Sequence, residues 1–121
     1  MSTKIKEHSS NAHNLRVLAD HCQVNEVLKS IGPRWKMQIL FCISKEVYQF
    51  SRLKKVFPSI SDQILGKRLC ELVKENLTVK NEIPDTVPLQ YKYEVTAKGM
   101  ALLEIVQQLH LWGLKDWNIN R

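Results

Sequence analysis

Apolar residues recur at helical spacing over the first two-thirds of the chain and then switch to alternation. Val24, Val27, Leu28 and Ile31 fall at i, i+3, i+4 and i+7, one face of a helix that Asp20 can cap. Gly32-Pro33 ends it, because glycine relaxes the backbone and proline has no amide donor. A second helix is expected from Pro33, with Trp35, Ile39, Leu40 and Ile43 as its apolar stripe and Arg34, Lys36 and Gln38 flanking it. Trp35 is read as a core anchor. Val47–Phe50 reads as a short strand or an extended link. Ser51 can then cap a short helix, Ser51–Val56, with Leu53, Val56 and Phe57 facing inward and Arg52, Lys54 and Lys55 facing out. Pro58 pushes Phe57 out of the helical region, so Phe57–Ile60 is a turn. Ser61 caps the longest clear pattern, Ser61–Glu75. There Ile64, Leu65, Leu69, Leu72 and Val73 face inward; Asp62, Gln63, Gly66, Lys67, Cys70 and Lys74 lie opposite, and Arg68 sits on the border.

Beyond Glu75 the period becomes two. Leu77, Val79 and Ile83 alternate with Thr78, Lys80 and Glu82; Leu89, Tyr91, Tyr93 and Val95 alternate with Gln90, Lys92 and Glu94. Two such runs around Pro84–Pro88 predict a hairpin with one buried face, its tip rigid but not basic. Thr96 then caps a last helix. Its apolar residues, among them Leu102, Leu103, Val106, Leu109 and Trp112, are too many for one stripe, and Gly113 can interrupt it. A second copy of the chain is the simplest cover for the extra face, the N-terminal segment being the alternative. Helix, turn, helix, hairpin is the order of a winged helix-turn-helix. The expected fold is α+β, mainly α: a winged helix-turn-helix with a two-stranded wing and terminal dimerisation helices. Residues 1–14 are polar and read as a mobile arm, and residues 15–121 as a single DNA-binding and dimerisation domain.

Composition adds a sign to this picture. At 44% hydrophobic the 121 residues can bury a core, and the net charge is +6. Between Lys45 and Lys80 eight basic residues face four acidic ones, so +4 of that excess falls in the helix-turn-helix region. A surface so charged attracts polyanions. Cys22, Cys42 and Cys70 are too few and too far apart for a disulfide framework or a zinc ribbon. No run approaches the roughly 18–20 apolar residues of a membrane span, and no signal peptide is visible. The cytoplasm is the expected compartment. There is no Gly-rich phosphate loop, nucleophile elbow or metalloprotease motif, and the four histidines are scattered. No enzyme, cofactor or metal site is expected.

The Ser61–Glu75 helix carries the most specific chemistry. A helix that enters the major groove needs donors able to reach base edges and a point of close approach. Lys67 and Arg68 can donate to guanine or phosphate, Gln63 can pair with adenine, Gly66 permits approach, and Ser61 opens the helix. Arg52, Lys54 and Lys55 suit phosphates, with Lys80 and Lys92 on the strand sides. The same pattern also describes an ordinary amphipathic surface helix. A wing tip without Lys or Arg would also suit a protein-interaction module without specific DNA binding. Cys22, beside His21 in the first turn after a cap, is the candidate reactive thiol, although a half-buried inert thiol fits too. Cys42, between Phe41 and Ile43, reads as core.

From Cys22 to about Trp117 the chain resembles the HxlR family of winged-helix transcription regulators. The resemblance rests on an ordered set: Cys22-Gln-Val with Val27-Leu28 and Ile31-Gly32; Trp35 with Ile39-Leu40; Phe50-Ser51-Arg52-Leu53; Pro58-Ser59-Ile60-Ser61; Leu65-Gly-Lys-Arg-Leu-Cys-Glu-Leu72; Tyr91-Lys-Tyr-Glu-Val-Thr-Ala-Lys-Gly99; and Trp112-Gly113. It differs from the usual pattern at Gln23, at Pro33-Arg34 and at Asp62-Gln63. The resemblance implies a homodimer joined through terminal helices, with one recognition helix per subunit in successive major grooves of double-stranded DNA. It also implies that the cysteine matched by Cys22 senses oxidants or electrophiles in some members. Operator, regulated genes and any small-molecule inducer are not legible.

Overall fold

The computed structural model describes residues 23–117. The expected arm, the Asp20 cap and Cys22 lie outside them. The chain divides into two units, one ending at Pro33 and one beginning at Arg34. In the first, helix α1 (Gln23–Ile31) is amphipathic as expected, and the Gly32 amide closes its last turn on the Leu28 carbonyl at 2.8 Å.

The second unit runs α2 (Lys36–Ser44), α3 (Phe50–Val56), α4 (Asp62–Lys74), β1 (Thr78–Ile83), β2 (Gln90–Val95), α5 (Ala97–Trp112) and a π-helical turn (Gly113–Trp117). This is the winged helix-turn-helix order. Its core joins Ile39, Leu40 and Ile43 of α2 to Leu53 of α3, then to Ile60, Leu65, Leu69 and Leu72 around α4. Leu77 and Tyr93 extend it to the base of the hairpin.

Two helix starts differ from expectation. α2 begins at Lys36, not near Pro33, because Trp35 adopts a left-handed conformation at φ 76°. A bulky residue there costs of order 1–3 kcal/mol and persists only when its surroundings fix it. Trp35 is fixed by an edge-on contact with Phe57 (5.8 Å between centroids) and by the Arg34 guanidinium 4.9 Å over its ring. It is the expected core anchor, partly buried. α3 begins at Phe50 behind Gln49, which makes no side-chain cap, so Ser51 lies inside the helix rather than capping it. Val47–Tyr48 is a link, not a strand, although the Tyr48 carbonyl accepts the Tyr93 amide at 2.8 Å. Val56, expected inward, is exposed.

The hairpin is antiparallel and its register reverses the expected phase of β1. Thr78 pairs with Val95, Lys80 with Tyr93 and Glu82 with Tyr91. Directly opposed residues share a face, so Thr78, Lys80 and Glu82 stand with the tyrosines while Val79 faces away, 45% exposed. Leu77 is buried because it ends the turn out of α4, where Asn76 takes a left-handed conformation and the Leu77 amide bonds back to Leu72. Nor does the buried face run the length of the wing. Leu89 and Tyr91 are exposed, and only the base meets the core.

The Thr96 cap holds. Its hydroxyl accepts from the Gly99 amide at 3.0 Å and donates to the Asn76 carbonyl at 2.7 Å, tying α5 to the exit of α4. Gly99 is buried where a Cβ would collide with the Leu77 carbonyl and the Val95 side chain, so α5 crosses the sheet base at a distance only glycine allows. Leu102 and Leu103, expected at a subunit interface, are partly buried against the chain's own core. At Gly113 the α-helix gives way to the π-helical turn, which stacks Trp117 on Trp112 at 6.2 Å.

Candidate nucleic-acid interface

The two helices of the motif are joined by a turn that the sequence braces twice. The Ser61 hydroxyl accepts the Ile64 amide at 3.1 Å and satisfies one orphan donor of α4. Lys54 reaches across from α3, donating to the Ile60 carbonyl and lying 3.6 Å from the Asp62 carboxylate. Asp62 in the first turn of α4 also suits the positive end of the helix dipole. Lys54, a candidate phosphate ligand, is therefore engaged in holding the turn.

With the turn fixed, one face of α4 stays open. Gln63 and Lys67 are exposed, and neither side chain has a partner among the described residues. Between them a Cβ built on Gly66 meets nothing within 4 Å, so the glycine leaves a shallow gap and no packing requires it. Arg52 and Lys55 of α3 are exposed too. The expected face of short polar and basic groups is thus present. Arg68 is not part of it. Its Nε donates to the Arg34 carbonyl at 2.8 Å and its Nη1 to the Glu71 carboxylate at 3.1 Å, leaving the side chain 13% exposed.

On the wing, Lys80 places its ammonium 4.4 Å from the Tyr91 ring centroid and 5.9 Å from that of Tyr93. The tyrosines hold that cation on the strand side, with the charge still exposed. Lys92 lies 6.0 Å from the Tyr48 ring centroid and is half-buried. The tip is stitched by Thr86, which donates to the Ile83 carbonyl at 2.9 Å and accepts the Gln90 amide at 2.8 Å. It carries no basic residue, as expected.

Sequence reasoning missed Lys36. Placed among the polar flanks of α2, it is 1% exposed and pairs with Glu75 at 2.8 Å and Glu71 at 3.8 Å. The Arg68–Glu71 pair was visible in principle, since residues three apart on a helix are neighbours. The partners of Lys36 lie on α4 and at its C-cap, 35 and 39 positions away, and no spacing announces them.

Between α2 and α5 lies an open, mostly apolar cavity of about 580 Å³, lined in part by Met37, Phe41, Cys42, Phe57 and Val106. Burial pushes the Cys42 thiol above its ordinary pKa, which suits the core role expected of it. Cys70 is exposed on the open side of α4. Among the described residues no group of three or more His, Cys, Asp or Glu side chains can hold a metal ion. No helix among them is long and apolar enough to cross a membrane.

Residues 30–120 match the HxlR-like helix-turn-helix family. The chain belongs to that family. Its relatives among curated proteins include the regulatory protein MalR of Fusobacterium mortiferum, 34% identical over 96 residues that span 78% of this chain and 90% of MalR. Among solved structures, the reduced form of the transcriptional regulator YodB from Bacillus subtilis superposes with a TM-score of 0.66 at 25% identity, covering 75% of this chain and 88% of YodB. The redox regulator HypR in its reduced form superposes with a TM-score of 0.69 at 26% identity, covering 80% and 95% of the two chains. This HxlR-family chain is a helix-turn-helix transcriptional regulator, and the open face of α4 is its candidate reading surface.

Proposed function

We propose that the chain is a sequence-specific DNA-binding regulator that acts as a homodimer, with α4 in the major groove. The observation that carries this reading is the pair of unpartnered side chains, Gln63 and Lys67, on either side of the open Gly66 gap and behind a capped, braced helix start. Groups that reach base edges must be free of the fold, and these are. Arg52 and Lys55 provide phosphate contacts from α3, and Lys80 adds one from the wing. Ile105, Leu109 and Trp112 of α5, at 63%, 52% and 51% exposure, form the apolar face that a second copy covers.

Selection of duplexes from a random pool tests the reading. The expected product is a repeat whose half-sites are about one helical turn apart, roughly 34–36 Å. Lys67→Ala should weaken binding to that site by about 1–3 kcal/mol and relax preference at one base pair. A pool that emerges unenriched would instead favour a winged domain that binds protein, and partner binding would then be insensitive to salt.

A second reading, thiol sensing through Cys22, is favoured by similarity to HypR, a redox regulator solved in reduced and oxidised forms. Oxidant should then change operator binding by the parent protein and leave Cys22→Ser unaffected. Equal sensitivity of the two would remove Cys22 from the mechanism.

A further inference from the structure

Arg68 and Glu71 lie three residues apart on α4, and Glu75 is its C-cap residue; all three are on the side turned toward the start of α2. A buried ammonium is tolerated only where anions compensate its lost hydration, and Lys36 has Glu75 at 2.8 Å and Glu71 at 3.8 Å. Glu71 in turn accepts from Arg68 at 3.1 Å, and the other edge of that guanidinium is bonded to the Arg34 carbonyl at 2.8 Å. Two cations and two anions thus form one chain of contacts with no net charge. It runs from the backbone just ahead of α2 along the inner side of α4. For Arg68 to reach a base edge, its bonds to Arg34 and Glu71 must break.

We propose that Arg68 and Glu71 are positioning residues that lock the recognition helix against the start of α2, and that Arg68 does not contact DNA. The locking role stands on the geometry alone. Its effect on operator recognition rests on the DNA-binding reading above. Lysine cannot replace Arg68, because only the guanidinium fork reaches the carbonyl and the carboxylate together.

The test uses the full chain in two measurements. The first, amide hydrogen exchange without DNA, compares the parent with Arg68→Gln, Glu71→Gln and Lys67→Gln. The lock predicts that exchange along α4 speeds up about tenfold in the first two variants and stays at the parent rate in the third. Unchanged exchange in both Arg68→Gln and Glu71→Gln would overturn it, whatever the protein does with DNA. The conservative Glu71→Gln keeps the side-chain shape, so the comparison survives if Arg68→Gln fails to fold.

The second measurement is operator affinity against salt concentration, below the melting temperature of every variant. Glu71→Gln makes the protein more positive by one charge, and long-range attraction alone would tighten binding. The lock predicts the reverse: both Arg68→Gln and Glu71→Gln lower the ratio of specific to non-specific binding about tenfold, and Arg68→Lys does not restore it. The log–log salt slope should match the parent in all three. If Arg68→Gln makes the slope shallower by about 0.9 per subunit and Arg68→Lys restores it, Arg68 is a phosphate ligand and the proposal fails. A parent protein without sequence preference would sink the DNA-binding reading, while the exchange data would still decide the lock.

Discussion

Gly66 shows how a single residue separates folding from recognition. A glycine inside a helix costs roughly 0.5–1 kcal/mol relative to alanine, and nothing in the fold needs this one, since its missing Cβ would sit in open space. Gly66→Ala should therefore raise thermal stability by about that amount, read as a higher melting temperature. If α4 approaches a groove at this point, the same change should weaken operator binding. Gains in both properties would place Gly66 away from the DNA. The cysteines permit an independent check on side-chain environment. Cys42 lines the α2–α5 cavity with its thiol pushed up by burial, so it holds less thiolate at neutral pH than an open cysteine. Cys70 is exposed on α4. An alkylating reagent at pH 7 should modify Cys70 before Cys42, and peptide mass spectrometry after short exposures would reveal the order. Raising the pH should increase labelling of Cys42.

At the scale of elements, the helix-turn-helix was legible in the sequence and the phase of the wing was not. Ser61, Leu65, Leu69 and Leu72 fall where the i, i+3, i+4 rule puts them, because a helix reports its buried face through local spacing alone. β1 was misread because Leu77 looks like the first member of an alternating series, whereas the turn at Asn76 buries it before the ladder begins. The consequence is a buried Thr78 whose hydroxyl has no hydrogen-bond partner. Burying such a group unpaired costs about 1–3 kcal/mol. Thr78→Val, which keeps the branched shape, should thus stabilise the protein by about 1 kcal/mol in urea denaturation without changing the m-value. A loss of stability would mean that the hydroxyl has found a partner. Two further features escaped sequence reasoning because they depend on contacts distant in the chain. The left-handed Trp35 is held by Phe57, and Lys36 is neutralised by Glu71 and Glu75 at the end of α4. Of the candidate DNA contacts, Gln63, Lys67, Arg52 and Lys55 are free, whereas Lys54 and Arg68 answer to the fold.

For the whole molecule, the exposed apolar face of α5 sets the assembly prediction. Leu102 and Leu103 occupy the core side of that helix, and Ile105, Leu109 and Trp112 are left for another surface. Analytical ultracentrifugation of the full chain should report a dimer, and Ile105→Glu or Leu109→Glu should shift it toward monomer by placing an unpaired charge in the contact. A parent protein that sediments as a monomer would exclude the dimer reading. In the proposed dimer, two reading heads would select half-site spacing as well as sequence.

The freedom of Gln63 and Lys67 also bears on how such a regulator can change over evolutionary time. Neither side chain supports the fold, so either position can mutate without loss of stability, while the charged lattice beneath them keeps the helix in place. If these two residues read DNA as proposed, a duplicated gene that drifts at their codons would change its operator preference and leave the fold intact. The same two positions are the natural ones to randomise in a library built to retarget this scaffold.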